Sequence, residues 1–468
     1  MINILIPVNK NVSPVYKYYS SFLNRISDNL SKSNINVDFV LFSDLLIDQF
    51  KSGPLIDGKY SANEYKSINE IENEYEFSFR EILYTDLLQT SKYIKKTRER
   101  KWYIPDEEFI EKESYKNKVN QIIDLFKKNK YSFVFTDQST DFEQSFIEYV
   151  CKKNNIPFIR YLPNFMNRAF FTLYRKNEDS KIIDIAIDNL DKTTVLSFIN
   201  NYREGEGTSI YNSNEKNLIM LKPYNKPLWK RLIHKKPKEY QHSANIRLKD
   251  FYFKKIEKGL KTFYYDQYDE NDDYIFYGLH LTTESHVALH SYPFVNQVNV
   301  IETISRALPY GYTLYVKPHP WWEHMIGLNS LKQIKNFPSV KLIHPDTPIK
   351  TILKYSSGIV TLNATTGVEA LVLGRPVIAL AKVNSYTEFH PNASLCTDLY
   401  DLPRLIIKMI NEKVNDNDTD NYMLKMFKLS SIIRFESDRF ISEDDADKKA
   451  MNFSKYIDVI INKYFQGR

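Results

Sequence analysis

"GIVTLNATTGVEALVLGRPVIAL", residues 358–380, reads as a strand, a helix and a second strand with hardly a residue between them. Gly358–Leu362 and Val377–Leu380 are short apolar runs without polar alternation, as expected of strands buried on both faces of a parallel sheet. Thr366–Leu373 has helical composition, and Gly374 suits the cap that ends it. The turn Asn363-Ala364-Thr365-Thr366-Gly367-Val368-Glu369 leaves a strand and opens a helix. The N–H groups of Thr366, Gly367 and Val368 would point out of the helix start, where the dipole favours an anion, and Gly367 would let a phosphate approach the backbone. Thr366-x-x-Glu369 also reads as a capping box, in which Glu369 turns back to the N-cap amide. In a third reading Glu369 accepts hydrogen bonds from both ribose hydroxyls of a nucleotide whose phosphate lies on the helix start.

The same alternation extends upstream. Tyr274–Leu279 reads as a strand, Pro293–Leu308 as a helix with Phe294, Val298, Ile301, Ile304 and Leu308 at helical spacing, and Thr313–Val316 as the next strand. Val340–Ile343 follows, and Thr347-Pro348 supplies an N-cap and N1 pair for a helix through Tyr355. The strand at 313–316 runs into Lys317-Pro318-His319-Pro320. A proline on each side restricts the backbone around His319 and holds it at the strand's carboxyl end, where ligands bind in open α/β sheets.

The first half repeats the pattern. Ile2–Val8, Val37–Phe42 and Tyr131–Thr136 are apolar runs, and Asp141–Asn154 places Phe142, Phe146, Tyr149 and Val150 on one helical face before the short strand Pro157–Leu162. Residues 60–130 are charged and aromatic with helical spacing, which predicts a helical insertion over 44–130. The organisation expected is an N-terminal domain over 1–200, a connector over 201–270 rich in Asn, Lys and Tyr, a C-terminal domain over 271–440 and a closing helix over 441–468. Two doubly wound domains facing a cleft follow from the alternation, and the cleft is the default site.

Bulk composition narrows the function classes. With 468 residues, 43% of them hydrophobic, the chain has material for two cores, and a net charge of +6 is too small for a dedicated nucleic-acid binder. Ile2–Val8 is too short for a signal sequence and no run is long enough to span a bilayer, so a cytoplasmic protein is expected. Cys151 and Cys396 lie far apart, outside any metal-binding spacing, and read as core thiols. Leu221–Lys238 holds seven Lys or Arg, Trp229, three prolines and no acid. It reads as a connector or as a basic aromatic patch that rests on an anionic acceptor or on anionic head groups at the inner face of the membrane.

Other polar residues divide into acid–base candidates and metal-like spacings. Asp137, at the end of the Tyr131–Thr136 strand, is a candidate general base, and Glu284, beyond the Tyr274–Leu279 strand, is a candidate base or nucleophile with His286 beside it. His286-x-x-x-His290 has metal-ligand spacing, but no third ligand is evident and no HExxH acid is present, so no metal is expected. The Asp-x-Asp pattern in 416–420 falls in what reads as an Asn/Asp-rich turn.

The runs LHLTTESHVALHSYPFVNQVNVIETISRALPYGYTLYVKPHP and TPIKTILKYSSGIVTLNATTGVEALVLGRPVIAL resemble the bacterial capsule polysaccharide biosynthesis proteins, glycosyltransferases of the GT-B type. The likeness covers about residues 274–392, with a Lys-x-His-Pro strand end, a Thr-Thr-Gly-x-Glu helix start and a Gly-x-Pro-Val strand in the family's order. IPFIRYLPNFMNRAFF is similar to the family's Pro-x-Arg-x-Gly-Asn-Arg stretch. Phe165-Met166 departs from it there, so only Asn167 and Arg168 carry over, as acceptor or cleft residues. The resemblance implies a nucleotide-activated donor in the C-terminal domain, CMP-linked as for the Kdo and sialic-acid transferases. His319, Thr365 and Thr366 would surround the donor phosphate, with Lys317, Gly367 and Glu369 beside them. The partners implied are a nucleotide-sugar and a glycan or lipid-linked glycan, with no cofactor beyond the co-substrate. A CDP-glycerol glycerophosphotransferase and a non-catalytic scaffold of a polysaccharide assembly complex share these motifs and stand as the alternatives.

Overall fold

The computed structural model describes residues 2–8, 19–41, 66–84, 107–111, 113–136, 142–163, 169–175, 181–184, 192–204, 259–280, 287, 291–319, 326–362, 364–381, 387, 390–430 and 443–465. The chain forms two compact units. The first comprises Met1–Leu196, Thr283–Tyr292 and Asn421–Arg468, and the second comprises Ser197–Thr282 and Pro293–Asp420. Residues 421–440, assigned on sequence to the C-terminal domain, therefore belong to the first unit, as does the closing helix. Among the described helices none is long and apolar enough to cross a membrane.

The first unit is built on a six-stranded sheet in the order β2-β1-β3-β4-β5-β6. Its strands are β1 (Ile2–Val8), β2 (Ile35–Leu41), β3 (Phe133–Thr136), β4 (Phe158–Pro163), β5 (Ala169–Tyr174) and β6 (Lys181–Ile182). β1 to β4 are mutually parallel, and β5 and β6 close the edge antiparallel. The apolar runs have a direct cause: Ile4, Ile6, Phe133 and Phe135 enter the core on one face of the sheet, while Leu5 and Val134 enter the core on the other. The first face is covered by helix Tyr19–Ser31, through Phe22, Leu23 and Ile26, and by helix Glu443–Tyr464, through Phe453, Ile457 and Ile460. The second is covered by helix Phe142–Lys153 and by helical segments of the 44–130 insertion, among them Ile68–Tyr75 and Glu113–Lys128.

The second unit carries an all-parallel sheet in the order β12-β11-β10-β7-β8-β9. Its strands are β7 (Tyr274–Gly278), β8 (Thr313–Lys317), β9 (Val340–Leu342), β10 (Gly358–Thr361), β11 (Val377–Leu380) and β12 (Ala393–Cys396). The first strand in sequence is central, with the second and third to one side and the fourth to sixth to the other, the dinucleotide-fold order with its switch point between β7 and β10.

Three local expectations shift. Pro348 itself is the N-cap of helix Ile349–Tyr355, one residue later than the Thr347 cap expected, and it offers no side-chain acceptor. Helix Thr365–Val372 starts one residue early, with Ala364 as N-cap, which puts Thr366 and Glu369 out of register for a capping box and removes that reading. At the other end Gly374 has φ +74°, and Gly374 N–H and Arg375 N–H donate to Leu371 O and Ala370 O, a Schellman closure that favours glycine there. The 416–420 segment is not a turn but the start of helix Asp416–Leu429, where Asp416 and Asp420 pair with Arg203.

Candidate functional site

Three adjacent strands of the second sheet end together. Gly278 of β7 is in register with Lys317 of β8, and Tyr277 with Val360 of β10. Beyond those ends lie Leu279-His280, Pro318-His319 and the turn that leads into helix Thr365–Val372. The chain thus brings Lys317, His319, Thr365, Thr366, Gly367 and Glu369 to one edge of one sheet, at its switch point.

Lys317 is the electrostatic anomaly of this edge. Its side chain is 6% exposed, and among the described residues no hydrogen-bond or ion-pair partner meets its ammonium. Desolvation lowers its pKa to about 8, and the Asp346 carboxylate only partly opposes that shift. A buried cation without a counter-ion is costly in isolation and becomes favourable when an anion arrives. His319 is exposed at the end of the strand, and its pKa is lowered by partial desolvation and then by Lys317. It is therefore a neutral imidazole at pH 7, able to donate one hydrogen bond.

The helix start contributes differently from its sequence reading. Gly367 N–H is bonded to Ala364 O at 2.9 Å, so the outward-facing amides are those of Thr365 and Thr366, both half-buried. Gly367 is buried against the sheet. A Cβ there would meet the Thr387 methyl at 3.1 Å and those of Thr361 and Val377 at 3.5 Å, so the glycine permits close helix-to-sheet packing. Glu369 is 4% exposed on the same helix. Its carboxylate adds to the burial that raises the Tyr202 phenol, whose hydroxyl has no partner among the described residues.

Sequence reasoning missed His280. Its backbone is clamped by Gln297, with His280 N–H donating to Oε1 at 2.7 Å and Nε2–H of Gln297 donating to His280 O at 2.8 Å. Its ring accepts the Leu362 N–H at 3.1 Å through Nε2. Burial first, then the His319 imidazole, lower its pKa to about 3. The available signal was positional: a polar residue one step beyond the first strand of a doubly wound unit lies beside the switch point. Glu284, His286, Asp137, Asn167 and Arg168 lie outside the described residues, as does the basic stretch 221–238.

Comparisons with known proteins extend this picture. No curated protein matches the chain. Among solved structures, KpsC of Thermosulfurimonas dismutans, a β-Kdo 2,7-transferase, aligns with 13% identity and a TM-score of 0.33 over 71% of this chain and 89% of its own. The UDP-GlcNAc 2-epimerase of Methanocaldococcus jannaschii aligns with 14% identity and a TM-score of 0.27, over 91% and 99%. CalG4, the calicheamicin glycosyltransferase, gives 12% and 0.26 over 99% of both chains. Likenesses this distant assign no ligand to this chain. Residues 213–386, which include β7 to β11 and the three converging strand ends, match the family model described as capsule polysaccharide biosynthesis protein.

Proposed function

We propose that the chain is a GT-B glycosyltransferase that moves a sugar from a nucleotide-activated, CMP-linked donor to a capsule or other surface glycan, free or lipid-linked. The observation that carries this reading is buried Lys317, whose ammonium meets no partner among the described residues, at the carboxyl end of β8, one strand from the switch point of a dinucleotide-fold sheet and inside the segment matched by the family model.

In this reading the donor phosphate lies at the start of helix Thr365–Val372, where the Thr365 and Thr366 amides and hydroxyls donate to it and Lys317 balances its charge. Neutral His319 donates a hydrogen bond to the phosphate oxygen as the bond from that oxygen to the anomeric carbon breaks. The acceptor hydroxyl forms the new bond to that carbon and gives its proton to a carboxylate, for which Glu284 and Asp137 are the candidates. Charge developing on the leaving phosphate is met by groups already in place, which makes each of them worth more than in water. Lys317 and the helix start take the part that a divalent ion takes elsewhere, so the transfer is proposed to be independent of metal and cofactor. Glu369 would receive the ribose hydroxyls. The site of action proposed is the cytoplasmic face of the membrane, with residues 221–238 as the contact.

The test is a panel of CMP- and UDP-sugars with CDP-glycerol, with and without glycan acceptors, read by nucleotide release and product mass. Release of CMP with a mass gain of one sugar and no phosphate is expected. A product that carries phosphate would replace the reading with glycerophosphate transfer, and nucleotide binding without turnover of any donor would favour the scaffold.

A further inference from the structure

The β7 and β10 strands separate at the switch point. Their ladder runs through Gly358–Ile275, Ile359–Phe276 and Val360–Tyr277, beyond which Leu362 N–H meets no strand partner. A buried amide at that place needs an acceptor. The His280 ring supplies it, with Nε2 3.1 Å from Leu362 N and 3.4 Å from Thr361 Oγ1.

The ring is itself constrained. Gln297, in the first turn of helix Gln297–Ala307, bonds both the N–H and the C=O of His280, and its Oε1 also accepts from Tyr277 OH at 3.3 Å. The Tyr277 ring meets the imidazole edge-on at a centroid distance of 5.8 Å. A continuous path therefore runs from a helix through Gln297 and His280 to Leu362, three residues before Thr365.

We propose that His280 is a positioning residue, whose unprotonated Nε2 bridges the diverging ends of β7 and β10 and sets the turn that presents Thr365 and Thr366 to the donor phosphate. Its action on the donor rests on the glycosyltransferase reading, whereas its hold on the turn does not. The tautomer follows from the contact: Nε2 accepts, so the ring proton is on Nδ1. Desolvation keeps the ring neutral, and the pKa of about 3 means that this acceptor persists across the working pH range.

Three measurements on the full chain test it. Imidazole 15N shifts at pH 7 should show one histidine of the nine with an unprotonated Nε2 that is lost in His280→Leu. A protonated Nε2 on His280 overturns the proposal without any variant having to fold. Hydrogen exchange of peptides spanning 358–366 should be about tenfold faster at Leu362 in His280→Leu and close to wild type in His280→Gln, whose side-chain oxygen can replace the acceptor. Equal exchange in all three proteins overturns it.

The third measurement is donor KM and kcat. His280→Leu should raise KM about tenfold, and His280→Gln should restore it. Wild-type KM in His280→Leu, with faster exchange, would overturn the effect on the donor. Failure of the wild type to use any nucleotide-sugar would instead sink the glycosyltransferase reading and with it the donor arm, leaving the exchange result to decide the hold on the turn.

Discussion

Among the described residues each sheet carries one buried cation, and the two are treated in opposite ways. Arg160, on β4 of the first sheet, forms a two-point ion pair with Glu148 of helix Phe142–Lys153, stacks 4.7 Å over the Tyr174 ring and donates to Tyr174 OH. Burial alone would lower its proton affinity, and the Glu148 carboxylate more than reverses that. Thr136 adds a hydrogen bond to the same carboxylate. Lys317, on β8 of the second sheet, is as deeply buried, but no partner among the described residues meets its ammonium. The lesson is that burial does not by itself separate structural from functional charge. The partner does: a saturated cation holds elements together, and an unsaturated one keeps a place for an anion.

The sharpest way to break this contrast is to unpair Arg160. Glu148→Gln leaves a guanidinium buried without its counter-charge, so unfolding in urea should show a loss of about 3–5 kcal/mol. Glu148→Gln with Arg160→Met should recover much of it. Little change in the single variant would mean that Arg160 is not held as a buried charge.

Lys317→Met should do the reverse. It removes a buried charge that has no partner among the described residues, so the denaturant midpoint should hold or rise, while nucleotide affinity by calorimetry should fall ten- to a hundredfold, about 1.5–3 kcal/mol. A stability loss with affinity intact would make Lys317 structural and erase the difference between the two sheets.

The pH dependence sharpens the contrast further. The Lys317 pKa falls from an ordinary 10.5 to about 8 on folding, so between these values the unfolded chain binds the proton and the folded chain releases it. Stability then rises with pH across that window, with the cost of the buried charge fully present below pH 8. Between pH 8 and 10.5 the wild type should therefore gain stability relative to the Lys317→Met variant. A bound phosphate favours the charged amine, so wild-type nucleotide affinity should decline above pH 8 and that of Lys317→Met should not.

The smallest effect concerns Gly367. In Gly367→Ala the new methyl would press on Thr387 at 3.1 Å, at a cost of about 1 kcal/mol, partly offset by the helix propensity of Ala. Thr387→Ser should relieve it. Lost nucleotide binding at unchanged stability would instead restore the reading in which the glycine makes room for a phosphate.

Much of this architecture was legible because strands buried on both faces write themselves as unbroken apolar runs. β1 and β11 begin and end where the sequence places them, and the other runs are displaced by one or two residues. Ala169–Tyr174 was not read as a strand: it adds antiparallel to the edge, and such a short apolar run has no period of its own. The capping box failed for a different reason. A Thr-x-x-Glu pattern is silent about which residue starts the helix, and a shift of one position empties it. Lys317 was named for its motif, yet its lack of a partner among the described residues is a fact of three dimensions. His280 was invisible because its partner, Leu362, lies 82 residues further along the chain.

The helix Glu443–Tyr464 has a bearing on how the protein is made. Its Phe453, Ile457, Ile460 and Ile461 complete the core that Ile4, Ile6, Phe22 and Ile26 begin. A chain synthesised from its amino end therefore cannot close its first unit until helix Glu443–Tyr464 has left the ribosome, whereas the sheet of the second unit, within residues 274–396, is already whole. The unit that starts earlier is completed later, and in the interval its apolar sheet face is covered only in part, by helix Tyr19–Ser31, the stage at which chains of this size aggregate or enlist a chaperone.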